Sequence, residues 1–162
     1  MKTLYIIRHA KSSWSFDLRD FDRPLGERGR KDVKKVGKYL QENLDPPKLM
    51  ITSPASRAFY TALFIADAWE YPEEKIVLDP AFYHGSPNGI IKTLSGLGNI
   101  SSVAIFGHNP GLTDLANHIS DVNIDNIPTC GVVGIEYQID SWKTLDKVRG
   151  QQFTFVTPKS LP

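Results

Sequence analysis

Two histidines and two arginines of this chain fall where an anion could be held and attacked. Arg8-His9 follows directly on the apolar run Leu4 to Ile7, Arg57 follows Ser53-Pro54, and His108 follows Val103 to Phe106 within Gly107-His108-Asn109-Pro110. Each lies just past a candidate strand, where the next helix would aim its first amides outward. In open α/β sheets the crevices outside the carboxyl ends of strands are anion sites. A guanidinium fork holds two oxygens at once, and a histidine beside fixed positive charge is mostly unprotonated near neutral pH. These properties suit phosphoryl transfer, where charge spreads over the equatorial oxygens and the protein's work is positioning and neutralisation. His9 is the candidate nucleophile, and its phosphorylation would split the reaction into transfer and hydrolysis. Arg8, Arg57 and His108 are candidates for gripping the phosphate; Lys11 is equally a phosphate-attracting group or a solvated loop cation.

Those groups need a scaffold that brings distant segments together. Thr3 to Ile7 reads as a strand covered on both faces. From Glu27 onward, Val33, Val36, Leu40 and Leu44 recur at helical spacing, with Arg28, Arg30, Lys31, Lys34, Lys35 and Lys38 elsewhere around the wheel. Lys48 to Thr52 predicts a second strand, and Ser53-Pro54 a cap with proline in the first helical position, opening a helix to about Trp69. Ile76 to Leu78 predicts a third strand and Ser86-Pro87 a helix to about Leu97. After Val103 to Phe106, Asn109 can cap and Pro110 can begin another helix. Gly131 to Ile139 and Gln152 to Val156 read as an antiparallel edge pair. The order βαβαβαβαββ predicts a three-layer α/β/α sandwich around a mostly parallel sheet. The irregular segment Ala10 to Gly26 exceeds the usual loop length, which marks a functional loop whose Trp14, Phe16 and Phe21 could line an entrance.

Composition narrows the function classes. A chain of 162 residues with 41% hydrophobic and 23% charged residues predicts one globular domain over residues 1–162. Nineteen basic against 18 acidic residues give a net charge of +1, which disfavours broad nucleic-acid binding. The single cysteine, Cys130, cannot form an internal disulfide, and Cys130-Gly131-Val132-Val133 reads as a strand with a small buried thiol, which suits a reducing compartment. The apolar run at Leu4 to Ile7 is too short for a signal-peptide core or a membrane span, so the expected location is cytoplasmic, with no membrane partner. Oligomeric state stays open; a monomer is compatible with every feature read.

The motifs together carry a resemblance. Arg8-His9-Ala10-Lys11-Ser12, Asp22-Arg23-Pro24-Leu25, Ser53-Pro54 with Arg57-Ala58, and Gly107-His108-Asn109-Pro110 occur in the order found in histidine phosphatases with an Arg-His-Gly-type motif. The chain resembles in particular the short SixA type of phosphohistidine phosphatase, from Met1 to about Ile119, with a compatible strand pattern to Val156. The resemblance implies that His9 is the phosphorylated nucleophile, that Arg8, Arg57 and His108 complete the phosphate pocket, and that neither metal nor cofactor takes part. Mutases and larger phosphatases of the superfamily carry insertions over the active site, so the short length implies an open pocket that could admit phosphohistidine on a protein.

The pattern departs from the wider family in two places. Where a glutamate usually supplies the leaving-group proton, Pro80 to Gly85 places His84; the candidate donors are therefore His84 or a loop aspartate, Asp17, Asp20 or Asp22. Gly26 stands where threonine is usual before Glu-Arg-Gly, a small change for a helix cap. Asp22 reads more readily as a brace paired with a nearby arginine. His118, Trp69, Trp142 and Cys130 read as surface or packing residues. The expected substrate is a phosphorylated protein or a small phosphorylated molecule. The other classes carried forward are a phosphomonoester phosphatase, which needs a competent acid for an alkoxide leaving group, and a phosphate-reading module without turnover.

Overall fold

The architecture follows from apolar strands that must be covered on both faces. In the computed structural model, which describes residues 1–162, the strands and helices alternate as β1 (Lys2–Arg8), α1 (Glu27–Asn43), β2 (Leu49–Thr52), α2 (Ser56–Ala68), β3 (Val77–Leu78), α3 (Pro87–Ser95), β4 (Ser102–Gly107), α4 (Gly111–Ile119), β5 (Val132–Tyr137) and β6 (Gln151–Val156). The strands form one sheet in the order β3-β2-β4-β1-β5-β6. The first four in that order are mutually parallel, and β5 runs antiparallel to both β1 and β6. The element order and the mostly parallel sheet with an antiparallel pair at one edge are those the sequence predicts.

The twofold alternation of strand side chains divides the core into two layers. Leu4 and Ile6 of β1 and Val103 and Ile105 of β4 point into the layer covered by α3 and α4. Tyr5 and Ile7, with Ala104 and Phe106, point into the layer under α1 and α2. Trp142 closes the first layer, fully buried, with its indole N–H donating to Ile100 O at 2.7 Å. Trp69 is buried in the second.

Two helix starts and one strand start differ from the sequence reading, each for a local reason. Ser53 does not cap α2. Its amide still donates to Phe106 O at 2.9 Å, continuing the sheet, so the helix begins at Ser56 and Arg57 is its second residue. Pro110 precedes α4 rather than opening it; Asn109 Oδ1 accepts from the Thr113 amide and hydroxyl at 3.2 and 2.8 Å. Cys130 is buried but is no strand residue: it takes a left-handed φ of 60° at the turn into β5, where its amide donates to Arg8 O and His9 O. Ser86, by contrast, caps α3 as expected, accepting from Gly89 N.

Close approach of α1 to the chain after His9 depends on Gly29. A Cβ there would lie 2.1 Å from Lys11 O. Alanine in a helix interior normally stabilises by about 1 kcal/mol over glycine. Here overpacking reverses the sign, and Gly29→Ala is expected to destabilise the fold by roughly 1–3 kcal/mol in urea unfolding. A stabilised Gly29→Ala protein would show that the helix and loop do not meet as described.

Candidate active site

The nucleophile candidate is fixed by its backbone. His9 leaves the end of β1 with its amide donating to Gly107 O of β4 at 3.1 Å and its carbonyl accepting from Cys130 N at 3.0 Å. Its ring Nδ1 lies 2.7 Å from Ala10 O. A carbonyl can only accept, so Nδ1 carries the proton and the lone pair resides on Nε2. The ring is buried and lines a 200 Å³ pocket with Arg8, Lys11, Ser12, Trp14, Arg23, Arg57 and Thr129. Burial first, then repulsion from Arg57, Arg8 and Arg23, brings the His9 pKa down to about 4. His9 is thus a neutral imidazole at pH 7.

The cations around it arrive from separate elements. Arg8 sends one terminal nitrogen to Ile127 O at 2.9 Å, while its buried Nε has no hydrogen-bond partner. Arg57 reaches the pocket from the start of α2. Thr61, one turn further on, fixes that helix to the strand end: its hydroxyl donates to Arg57 O at 2.7 Å and accepts from Ala10 N at 2.9 Å. Lys11 lies on the pocket wall, exposed.

His108 stands across from the nucleophile, with ring centroids 5.1 Å apart. Its Nε2 lies 2.8 Å from Ser53 Oγ, whose oxygen also accepts from Ala55 N, and its buried Nδ1 is unpartnered. Burial, followed by His9 and Arg57, lowers its pKa to about 3. Arg8, His9, Arg57 and His108 are therefore brought together. An unsatisfied buried Nε–H and an unsatisfied imidazole nitrogen beside them are groups that an oxyanion or its hydroxyl would satisfy.

Four contributors were not legible as site residues in the sequence. Ser53 was read as a helix cap. Arg23 stood inside a recognised motif with no role attached; it clasps the loop by donating to Ser12 Oγ, Ser13 O and Asp20 Oδ1, and its guanidinium carbon lies 3.2 Å from the Trp14 ring centroid. Asp20 was read only as one of several possible acids. Its carboxylate accepts from Arg57 and Arg23, each at 2.9 Å, and from the Tyr83 hydroxyl at 2.8 Å, while its carbonyl accepts from Arg57 at 2.7 Å. Desolvation opposes ionisation there, but the hydrogen bonds from Tyr83 and Arg57 outweigh it and hold Asp20 at about 2. An ionised carboxylate has no proton to give, so in this arrangement Asp20 organises the clamp. Tyr83, the fourth, packs its ring against His84, Phe21 and His108 with centroids 4.0, 5.1 and 5.5 Å apart. The signal available was the charge density of Arg19-Asp20-Phe21-Asp22-Arg23 in a long loop.

The remaining candidates spread outward. His84 is exposed and lines a neighbouring 410 Å³ groove with Tyr83, His108 and Asp114, outside the pocket that holds His9. Asp22 pairs with Arg19 at 2.9 Å, the bracing role expected of it, and Asp17 is exposed. Trp14 lines the pocket; Phe16 does not, and Phe21 packs on Tyr83 instead. His118 is exposed on α4, away from the cluster. A surface pocket of 590 Å³ lies at the other end of the sheet beside Thr3, Lys48 and Ser102, where the strands begin, and contains none of these groups.

Comparison with known proteins bears on family and fold. Residues 4–83 match the family model described as histidine phosphatase superfamily, branch 1. An uncharacterized chloroplastic protein of Arabidopsis thaliana is 30% identical over 154 residues, spanning 88% of this chain and 69% of the relative. The structure of SixA from Agrobacterium tumefaciens superposes with a TM-score of 0.79 at 24% identity, covering 97% of this chain and 98% of that one. The protein histidine phosphatase SixA complexed with tungstate gives 0.83 at 18% identity, covering 98% of both chains. No helix is long and apolar enough to cross a membrane. The fold is thus shared with SixA over nearly its whole length, and the chain belongs to the histidine phosphatase superfamily.

Proposed function

We propose that the protein is a metal-independent phosphatase that works through phospho-His9 and takes its phosphoryl group from phosphohistidine on another protein. The observation that carries the reading is the hydrogen bond from His9 Nδ1 to Ala10 O, which leaves Nε2 as the attacking atom beside Arg8 and Arg57. In the first step the Nε2 lone pair forms a bond to phosphorus and the bond to the leaving group breaks, its electron pair going to the leaving atom. The ring of phospho-His9 then carries positive charge, and Ala10 O accepts from its Nδ1–H. In the second step water attacks phosphorus, the N–P bond breaks, and the pair returns to Nε2; inorganic phosphate leaves as dihydrogen phosphate, with the water's oxygen and both of its protons.

Substrate class follows from the leaving group. A phosphorylated imidazole protonated on its other nitrogen departs as a neutral ring and makes little demand on an acid, whereas an alkoxide needs a proton delivered in the transition state. Asp20 is held ionised and Asp22 is paired with Arg19, and of the other candidates His84 lines the groove that adjoins the pocket. The arginines supply the positive charge that stabilises the transferring phosphoryl group. Tungstate, a tetrahedral oxyanion, in the SixA neighbour supports the same ligand chemistry. A cytoplasmic setting belongs to the same proposal, on the single thiol Cys130, which is free.

The test is turnover of phosphohistidine, an alkyl phosphomonoester and phosphoserine peptide by wild type and His9→Ala. Wild type should favour phosphohistidine, trap an acid-labile phosphoryl group on His9, and be insensitive to EDTA. His9→Ala should lose at least about a thousandfold in kcat. Tight phosphopeptide binding without any trapped intermediate would instead support a non-catalytic reader.

Roles of the other groups separate by leaving group. Asp20→Ala is expected to lower kcat/KM for phosphohistidine and for an activated aryl phosphate by a common factor of roughly ten to a hundred, because the clamp loses its aim. His84→Ala should impair cleavage of an alkyl phosphomonoester and spare an activated aryl ester if His84 is the donor; equal losses reject that role.

Stability should report the two depressed imidazoles. Folded His9 and His108 titrate near 4 and 3, against 6.5 for an unperturbed histidine, so protons bind preferentially to the unfolded chain. Their contribution is complete above pH 6.5 and is lost as the pH falls from there toward 4 and 3. Thermal melts from pH 7.5 to 4 should show a falling Tm, and His9→Ala with His108→Ala should flatten that fall.

A further inference from the structure

The loop between β1 and α1 is ordered by polar ties, yet its largest side chains are left in water. Ser12 bridges to Leu25, Arg23 clasps Ser12, Ser13 and Asp20, and Arg57 holds Asp20 from α2. Beyond the face that Trp14 lays on Arg23, these ties do not involve Trp14, Phe16 and Leu18, which are 75, 61 and 48% exposed within five consecutive residues. Scattered apolar residues on a surface need no explanation, but three neighbours on an ordered loop beside a cationic pocket do.

The pocket itself says what part of a ligand stays outside. Small-molecule sites usually enclose most of their ligand in about 300–1,000 Å³ with mainly apolar walls. Here the volume is 200 Å³ and Trp14 is the one large apolar wall among Arg8, Arg23, Arg57 and Lys11. Such a site takes the phosphoryl group and leaves its carrier on the rim. Trp14 belongs to both surfaces: one part of it lines the pocket over Arg23, and the rest continues into the exposed loop. A dianionic group seated on those cations thus brings its carrier against Trp14, with Phe16 and Leu18 two and four residues further along the same exposed loop. Aromatic and arginine side chains framing a desolvated centre are the usual energetic focus of a protein interface.

We infer that Trp14, Phe16 and Leu18 form a docking surface for the folded protein that carries the phosphohistidine, an apolar patch of that protein flanking its phosphorylated side chain. The inference rests on the proposed phosphohistidine phosphatase activity. It makes the loop the element that sets preference for a macromolecular over a small substrate, through binding and not through chemistry. Phe16 and Leu18 are outside the pocket, so they can be changed without touching the clamp.

The experiment compares wild type with Phe16→Ser, Leu18→Ser and the double variant on a histidine-phosphorylated protein and on free phosphohistidine. The double variant should raise KM for the phosphoprotein about tenfold with kcat held, and leave kcat/KM for free phosphohistidine unchanged, which also reports an intact fold. Equal losses on both substrates, or no change on either, overturn the docking surface while leaving the phosphatase reading in place. Failure of wild type to hydrolyse any phosphohistidine overturns both. Vesicles of phosphatidylcholine with phosphatidylserine supply the competing arm: binding by wild type that Phe16→Ser and Leu18→Ser abolish, with phosphoprotein KM unaltered, would assign the loop to a lipid surface and reject the inference.

Discussion

Mutual repulsion among like charges is the constraint around which this end of the molecule is built. Arg8, Arg23, Arg57 and Lys11 converge on a pocket of 200 Å³, where His9 stands among them uncharged with a second uncharged imidazole, His108, across from it. One carboxylate, Asp20, is tied to two of the arginines and carries the local counter-charge. Cations held this close are unfavourable in an empty, partly dry site and become favourable when a doubly charged anion arrives. The cost is met by the rest of the fold, through two apolar layers packed on either side of the sheet.

Burial sets the protonation of the nucleophile candidate, and the same repulsion reinforces it. Positive neighbours and burial both favour neutral imidazole, and the carbonyl of Ala10 decides which nitrogen keeps the proton. Neutralising the arginines with a carboxylate seated directly on His9 would have raised the imidazole's affinity for protons and weakened it as a nucleophile. Asp20 avoids this by approaching Arg57 and Arg23 from the loop, where Tyr83 also donates to it.

The scaffold was largely legible in the sequence because its signals are local. Continuous apolar strands, helical spacing in α1 and the Ser86-Pro87 cap each carry their meaning within a few residues. His9, Arg8, Arg57 and His108 could be placed together because each follows a strand of one parallel sheet. Ser53 was misplaced because a serine before proline signals a cap by type alone, while its actual environment is set by Phe106 in another strand and by His108. Arg23 and Asp20 were unreadable for a related reason: a run of alternating charges in a loop fits many pairings, and only the tertiary position of Arg57 selects one. Cys130 shows the limit for backbone conformation, since its left-handed turn is imposed by the need to donate to the carbonyls of Arg8 and His9.

Thr61 ties these observations to motion. One hydroxyl joins the amide of Ala10 to the carbonyl of Arg57, so the strand end bearing His9 and the first turn of α2 share a single short strut. A displacement of α2 against the sheet would have to break or stretch this one hydroxyl's bond to Ala10, so the backbone under the candidate nucleophile and that under its guanidinium neighbour are mechanically coupled at a single point.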